Sequence, residues 1–219
     1  MLPTLYSIFF SMALTSTASL ESGDLIFVSL DCGSTCQAIE SVTLKQFQVT
    51  APSLSHLGLI EKSNSEIWVW EAWPGPGVQR IPLKDFLDRP IQAPNTRVLK
   101  IQDEIKAHLP KLFEQLRTWQ TKAYDPIFAW TDSSFYCSEL IFKAWREVAP
   151  ELQLFSEAVL PMDFGSPLSS ERLVWKQYFD RWYLNIPAGR PGISPLGIYL
   201  SAKKSPYFQS KPSLANHPN

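Results

Sequence analysis

The chain has 219 residues, of which 45% are hydrophobic, 13% aromatic and 19% charged, with a formal net charge of −1. That suffices for one sizeable core, so a single domain is expected. No basic run exceeds Lys203-Lys204, so the sequence carries neither a nucleic-acid footprint nor a polybasic membrane patch, and no nucleic-acid partner is expected.

Residues 1–18 contain no charged side chain, and Tyr6 to Leu14 forms an apolar stretch of signal-peptide length, too short to span a bilayer. Ser16-Thr17-Ala18 supplies the small residues of a cleavage site. Export to the periplasm or beyond is therefore expected, with a buried N-terminal helix as the alternative. No cysteine follows the cut, so no lipid anchor is expected, and no membrane span is expected in the mature chain.

In chain order, Gly23-Asp24 opens the fold and Leu25 to Leu30 reads as a buried strand. The segment 31–36 (DCGSTC) is a turn leading into a short helix over about 36–43. Cys32 and Cys36 can close a small disulfide, remain reduced, or share a helical face; a zinc site is disfavoured because no matching Cys or His pair exists. Residues 46–53 read as loop.

Strands over 56–61 and 66–73 flank a polar turn at 62–65. An ordinary hairpin pairs Glu61 with Glu66, and the same register sets His56 opposite Glu71, placing imidazole and carboxylate on one face. Further strands are expected at 78–81 and 97–101, with a short helix or loop over 82–94. The Pro-Gly-Pro-Gly at 74–77 is a turn and not a phosphate loop, since no helix start with Lys-Ser/Thr follows.

Leu109, Leu112, Leu116 and Trp119 recur at helical spacing, predicting a core helix over about 109–123. The aromatic segment 124–131 (YDPIFAWT) is read equally as packing and as a substrate wall. In FYCSELIFKAW (135–145), Leu140, Ile141, Ala144, Trp145 and then Val148 define one helical face, which puts Cys137 in the first turn. A thiol there meets unpaired backbone N–H groups that favour thiolate. The plainer reading is a small buried side chain. Residues 149–195 read as loop with a short helix near 171–182, and 205–219 as a disordered tail.

A nucleophilic cysteine needs a base and a group that orients the base. Of the three histidines, His217 lies in the expected tail and His108 at an exposed helix start, which leaves His56. Glu71, embedded in WVWEAW, is a carboxylate whose burial a histidine partner would offset.

The blocks GDLIF (23–27), SHLGLI (55–60), VWEAW (69–73), YDPIFAW (124–130), YCSELIFKAW (136–145) and ISPLGIYLS (193–201) together resemble the permuted papain-fold amidases of the YaeF/YiiX type. These are relatives of the NlpC-type cell-wall peptidases and of lecithin:retinol acyltransferase. The resemblance implies a circularly permuted papain-like α+β fold, an antiparallel sheet packed against helices, with the catalytic domain over 19–204. It implies Cys137 as nucleophile, His56 as general base and Glu71 as the orienting residue, with no cofactor. The Cys137 backbone N–H would donate to the oxyanion, and Tyr124 and Tyr136 are candidates for the pocket wall.

A thiol hydrolase acting on an amide through an acyl-thioester is therefore expected, with a peptidoglycan-derived peptide as the first substrate class. Rival readings are acyl transfer or hydrolysis on a lipid amide or ester, and a catalytically silent binding module. An apolar tunnel beside Cys137 would favour acyl chains and an open polar groove would favour peptide.

Overall fold

The computed structural model describes residues 20–92 and 96–211. The expected signal segment 1–18 lies outside the described residues. In chain order the elements are β1 (Leu25–Val28), α1 (Ser34–Phe47), β2 (His56–Ser63), β3 (Glu66–Trp73), β4 (Gly77–Pro82), α2 (Leu83–Leu87), β5 (Arg97–Ile101), α3 (Leu109–Trp119), β6 (Ala123–Tyr124), β7 (Ser134–Phe135), α4 (Cys137–Val148), β8 (Leu160–Pro161), α5 (Ser170–Asp180), β9 (Pro191–Gly192), α6 (Pro195–Lys204) and β10 (Phe208–Lys211). Short 3-10 turns connect several of them.

Six strands form one antiparallel sheet in the order β10-β5-β1-β2-β3-β4. The short pairs β6–β7 and β8–β9 lie outside it. β1 is buried along its whole length because both sheet faces are covered, which is why LIFV reads as a continuous apolar run and not an alternating one. On one face Phe27, Leu57, Leu59, Trp70 and Leu99 pack with α3, α4 and α6; on the other Ile26, Val28, Ile60, Val69 and Val98 meet Leu83 and Phe86 around α2. The architecture is the expected α+β one.

The hairpin register departs from expectation by two residues. Leu59 pairs with Trp70, Glu61 with Trp68 and Ser63 with Glu66. Asn64 adopts φ 57°, a left-handed conformation that asparagine tolerates, so Asn64-Ser65 close a two-residue turn and both strands run further than a four-residue loop would permit. A two-residue shift leaves every side chain on its original face. His56 and Glu71 therefore share a face as diagonal neighbours, and the residue whose ring meets His56 is Trp73.

The reading of 205–219 as a disordered tail also departs from the structure in its first part. Phe208–Lys211 forms the edge strand β10 on β5 and buries Phe208, while Gln209 and Ser210 stay exposed. One inward aromatic among polar residues gives a weak strand signal. Residues 212–219 lie outside the described residues. Two helices differ in extent: α1 starts at Ser34 and runs to Phe47, and α3 stops at Trp119, where the chain turns with Thr121 at φ 74°. The C-terminal motif at 193–201 carries the N-cap of α6, in which Ser194 Oγ accepts from the Gly197 N–H.

Candidate active site

α4 begins at Cys137, so the cysteine lies in the first turn as the apolar periodicity predicts, with Tyr136 as the N-cap. Its residues from Cys137 to Trp145 are all buried, so it is a central helix and not a surface one. The residues either side of the cysteine are tied to one residue, Ile193: Ser138 Oγ donates to the Ile193 carbonyl at 2.8 Å, and the Ile193 N–H donates to Tyr136 Oη at 3.0 Å. Further along α4, Lys143 donates to Thr131 O and Asp132 Oδ1, both at 2.8 Å, and pairs with Glu139. Burial pushes the Glu139 carboxyl up to about 7 despite that lysine. These bonds fix the first turn of the helix and the loop before it.

His56 opens β2 and is buried. Its Nε2 lies 2.6 Å from Glu71 Oε2, which leaves Nδ1 as the ring nitrogen for Cys137. The ring is held between Phe86, stacked at 5.6 Å, and Trp73, edge-on at 5.1 Å. Burial opposes protonation of His56, but hydrogen bonding to Cys137 and Glu71, together with their charges, outweighs it and raises the imidazole to about 9. Burial alone would raise Glu71, yet Arg89 and His56 hold its carboxyl down to about 2.

Glu71 is fully enclosed. Arg89 engages both carboxylate oxygens, Nη1 to Oε2 at 2.5 Å and Nη2 to Oε1, and Gln79 Nε2 donates to Oε1 at 2.7 Å. The Arg89 guanidinium also lies 3.6 Å from the centre of the Trp73 ring, a cation–π contact that fixes its plane. A lone buried carboxylate would be costly; a bidentate guanidinium, an amide and an imidazole leave it satisfied.

Sequence reasoning brought together Cys137, His56 and Glu71, and the structure places the three in sequence of contact. It missed Arg89 and Gln79. Gln79 is at the position facing Glu71 across β3 and β4, so a strand assignment for 77–82 carries a signal for it. Arg89 follows α2 in a segment without periodicity, and only the need to neutralise Glu71 points toward a cation.

Cys137 and His56 line a cleft of about 790 Å³. Its walls include Ile39 and Val42 of α1, Phe128, Phe164, and Trp175 and Tyr178 of α5, and they are predominantly apolar. The aromatic segment 124–131 packs against its neighbours and also contributes Tyr124, Pro126 and Phe128 to the cleft lining. Asp125 accepts the N–H groups of Ile127 (3.1 Å) and Ala129 (2.6 Å), folding the chain so that Phe128 and Trp130 take left-handed φ of 53° and 58°. Phe128 then packs against Tyr136, Phe164, Trp175, Tyr178 and Phe179 while forming cleft wall. Tyr124 and Tyr136 both reach the cleft. Burial, then the negative charge at Cys137, raises the Tyr124 phenol well above its ordinary value, so it stays a donor.

Cys32 and Cys36, at the start of α1 and on the cleft rim, are disulfide-bonded, which leaves Cys137 as the free thiol. Among the described residues, no group of three or more His, Cys, Asp or Glu side chains is placed to hold a metal ion. Among them also, no helix is long and apolar enough to cross a membrane.

Residues 19–183 match the family described as permuted papain-like amidase enzyme, YaeF/YiiX, C92 family. The uncharacterized protein YiiX of Escherichia coli strain K12 is 25% identical over 180 residues, spanning 82% of this chain and 81% of that protein. A crystal structure described as metalloprotein yiiX from Escherichia coli O157:H7 superposes with a TM-score of 0.66 at 22% identity, covering 88% of this chain and 97% of the other. On the family match over three quarters of its length, the chain belongs to the permuted papain-like amidases of the YaeF/YiiX type.

Proposed function

We propose that the protein is an exported cysteine hydrolase that cleaves an amide or ester whose acyl part is an apolar chain, with Cys137 as nucleophile, His56 as general base and acid, and Glu71 as the orienting carboxylate. Family membership supports a cysteine hydrolase of the amidase kind. The single observation that carries the substrate class is the apolar wall of the cleft beside Cys137. It favours an acyl chain over a peptidoglycan-derived peptide, whose polar backbone would lose hydrogen bonds to water against Phe128, Phe164 and Trp175.

In this mechanism Cys137 Sγ, its proton held by His56, attacks the carbonyl carbon. The oxyanion so formed receives the Cys137 backbone N–H and, from the cleft wall, the Tyr124 hydroxyl. The C–N or C–O bond breaks as His56 gives its proton to the leaving group, and an acyl-thioester remains on Cys137. Water then loses a proton to His56 and attacks the thioester, releasing the carboxylic acid and restoring the Cys137 thiolate with its proton on His56. Glu71, fixed by Arg89, keeps Nε2 engaged throughout so that Nδ1 stays turned toward the sulfur.

A chain-length series of N-acyl p-nitroanilides tests the reading. The expected result is kcat/KM rising steeply with acyl length and a mass shift equal to the acyl group on the Cys137 peptide, absent in Cys137→Ala. A preference for short peptidyl anilides would return the substrate to the cell-wall class, and no acyl adduct with any of them would favour a silent binding module.

A further inference from the structure

Among the described residues the large apolar side chains left exposed are Leu168, Leu173, Trp182, Tyr183 and Leu184, and all five fall between 168 and 184, on and around α5. Isolated exposed leucines need no explanation, but confinement of the whole set to one segment does. The opposite side of α5 is well anchored: Trp175 and Phe179 are buried with Phe164 and Ala38. The helix is therefore held to the body by one face while its other side and its C-terminal end carry apolar groups into solvent.

The end of α5 is an ordered projection. Phe179 O accepts from both Trp182 N–H (2.9 Å) and Leu184 N–H (3.3 Å), and Asp180 O accepts from Tyr183 N–H (3.1 Å). Tyr183 takes φ 54°, which a bulky residue adopts only at a cost, and its side chain is 97% exposed. Arg181 lies beside this knob, and Lys176 and Arg190 are exposed nearby in sequence. Trp182 and Arg181 also line the cleft that contains Cys137, so the projection and the mouth of the cleft are continuous.

We propose that this rim, led by Trp182-Tyr183-Leu184, docks on the surface of a lipid bilayer and presents the cleft mouth to the acyl chains within it. Tryptophan and tyrosine are the side chains that settle at the boundary between headgroups and hydrocarbon, and leucines beside them add apolar area to the insertion. Arg181 and Arg190 add a modest preference for anionic headgroups, whereas Lys176 is paired with Asp180 at 2.7 Å. This is aromatic insertion helped by two cations, distinct from the polybasic mode that the sequence lacks. The proposal rests on the reading of the cleft as an acyl site, and it adds where the acyl substrate comes from: a membrane, not the aqueous phase.

The test is co-sedimentation of the full chain with phosphatidylglycerol vesicles and, in parallel, phosphatidylcholine vesicles. A variant carrying Leu173→Ser, Tyr183→Ser and Leu184→Ser is measured beside it; these residues lie outside the cleft walls. Binding to phosphatidylglycerol vesicles a few-fold stronger than to phosphatidylcholine, at least 10-fold weaker in the variant, supports the proposal. Iodoacetamide labelling of Cys137 at the parent rate in the variant shows that the site itself is intact. Absence of vesicle binding, or equal binding by parent and variant, overturns it. So does a concentration-dependent dimer in sedimentation velocity that the three substitutions abolish, which would assign the patch to a second copy of the chain. Vesicle binding by a protein whose Cys137 takes no acyl group would leave the docking surface standing and remove the proposed hydrolase.

Discussion

Two buried carboxylates sit on the same hairpin, and their surroundings differ in one respect. Glu61 on β2 receives Arg80 Nε at 2.6 Å, Arg117 Nη2 and the Trp70 indole N–H at 2.8 Å. Glu71 on β3 receives Arg89, Gln79 and His56. Both are thus satisfied by guanidinium and a neutral donor. Every partner of Glu61 keeps its charge state at any ordinary pH, so that network can only staple the hairpin to α3. Glu71 alone has a partner that can gain and lose a proton, and that partner opens onto a thiol and a cleft. The comparison teaches that a buried acid is no functional signal in itself; a titratable partner connecting it to a nucleophile is.

The strongest way to break the comparison is to neutralise each acid in turn. Glu71→Gln is expected to lower hydrolysis by about 10³-fold or more, because the imidazole loses the carboxylate that sets its orientation and holds its proton. Glu61→Gln is expected to lower stability by about 1–3 kcal/mol while leaving Cys137 reactivity within a few-fold of the parent. Thermal melts and anilide hydrolysis on the two variants separate the outcomes; equal losses of activity would erase the distinction.

The same pair sets a pH window for stability. His56 is raised from 6.5 to about 9, so its contribution is fully present below 6.5 and disappears as the pH climbs through 9. Glu71 is lowered from 4.5 to about 2, so its contribution is fully present above 4.5 and disappears as the pH falls through 2. The two act together at full strength between 4.5 and 6.5. In Glu71→Gln the alkaline limb of this profile should shift toward lower pH, and in Glu61→Gln it should stay where it is.

A smaller effect is expected at Tyr124. Tyr124→Phe removes the proposed oxyanion donor while keeping the ring in the wall, so kcat should fall about 10- to 100-fold with acyl-chain KM nearly unchanged. A KM effect without a kcat effect would make Tyr124 a wall residue only.

How much of this was legible depends on the kind of signal. The placement of Cys137 in the first turn of α4 and the strand bounds 66–73 and 97–101 follow from apolar periodicity, which tertiary packing did not override. His56 was reached by elimination among three histidines, and its approach to Glu71 survived a wrong register because the shift was even. Arg89 was illegible because it lies in a stretch with no periodicity and acts through a contact that only the fold creates. The apolar character of the cleft was equally hidden, since Ile39, Phe128, Phe164 and Trp175 come from four separate segments. β10 was lost because an edge strand with one inward aromatic carries little hydrophobic pattern.

The most direct test of the central claim, that His56 is coupled to Cys137 and governs its reactivity, is the rate of Cys137 alkylation by iodoacetamide as a function of pH in the parent and in His56→Ala. With the imidazole holding its proton until about 9, the parent should label far faster than the variant below that pH, and the two rates should converge above it. A parent-to-variant ratio near one across the whole range would contradict the coupling and, with it, the assignment of Cys137 as nucleophile.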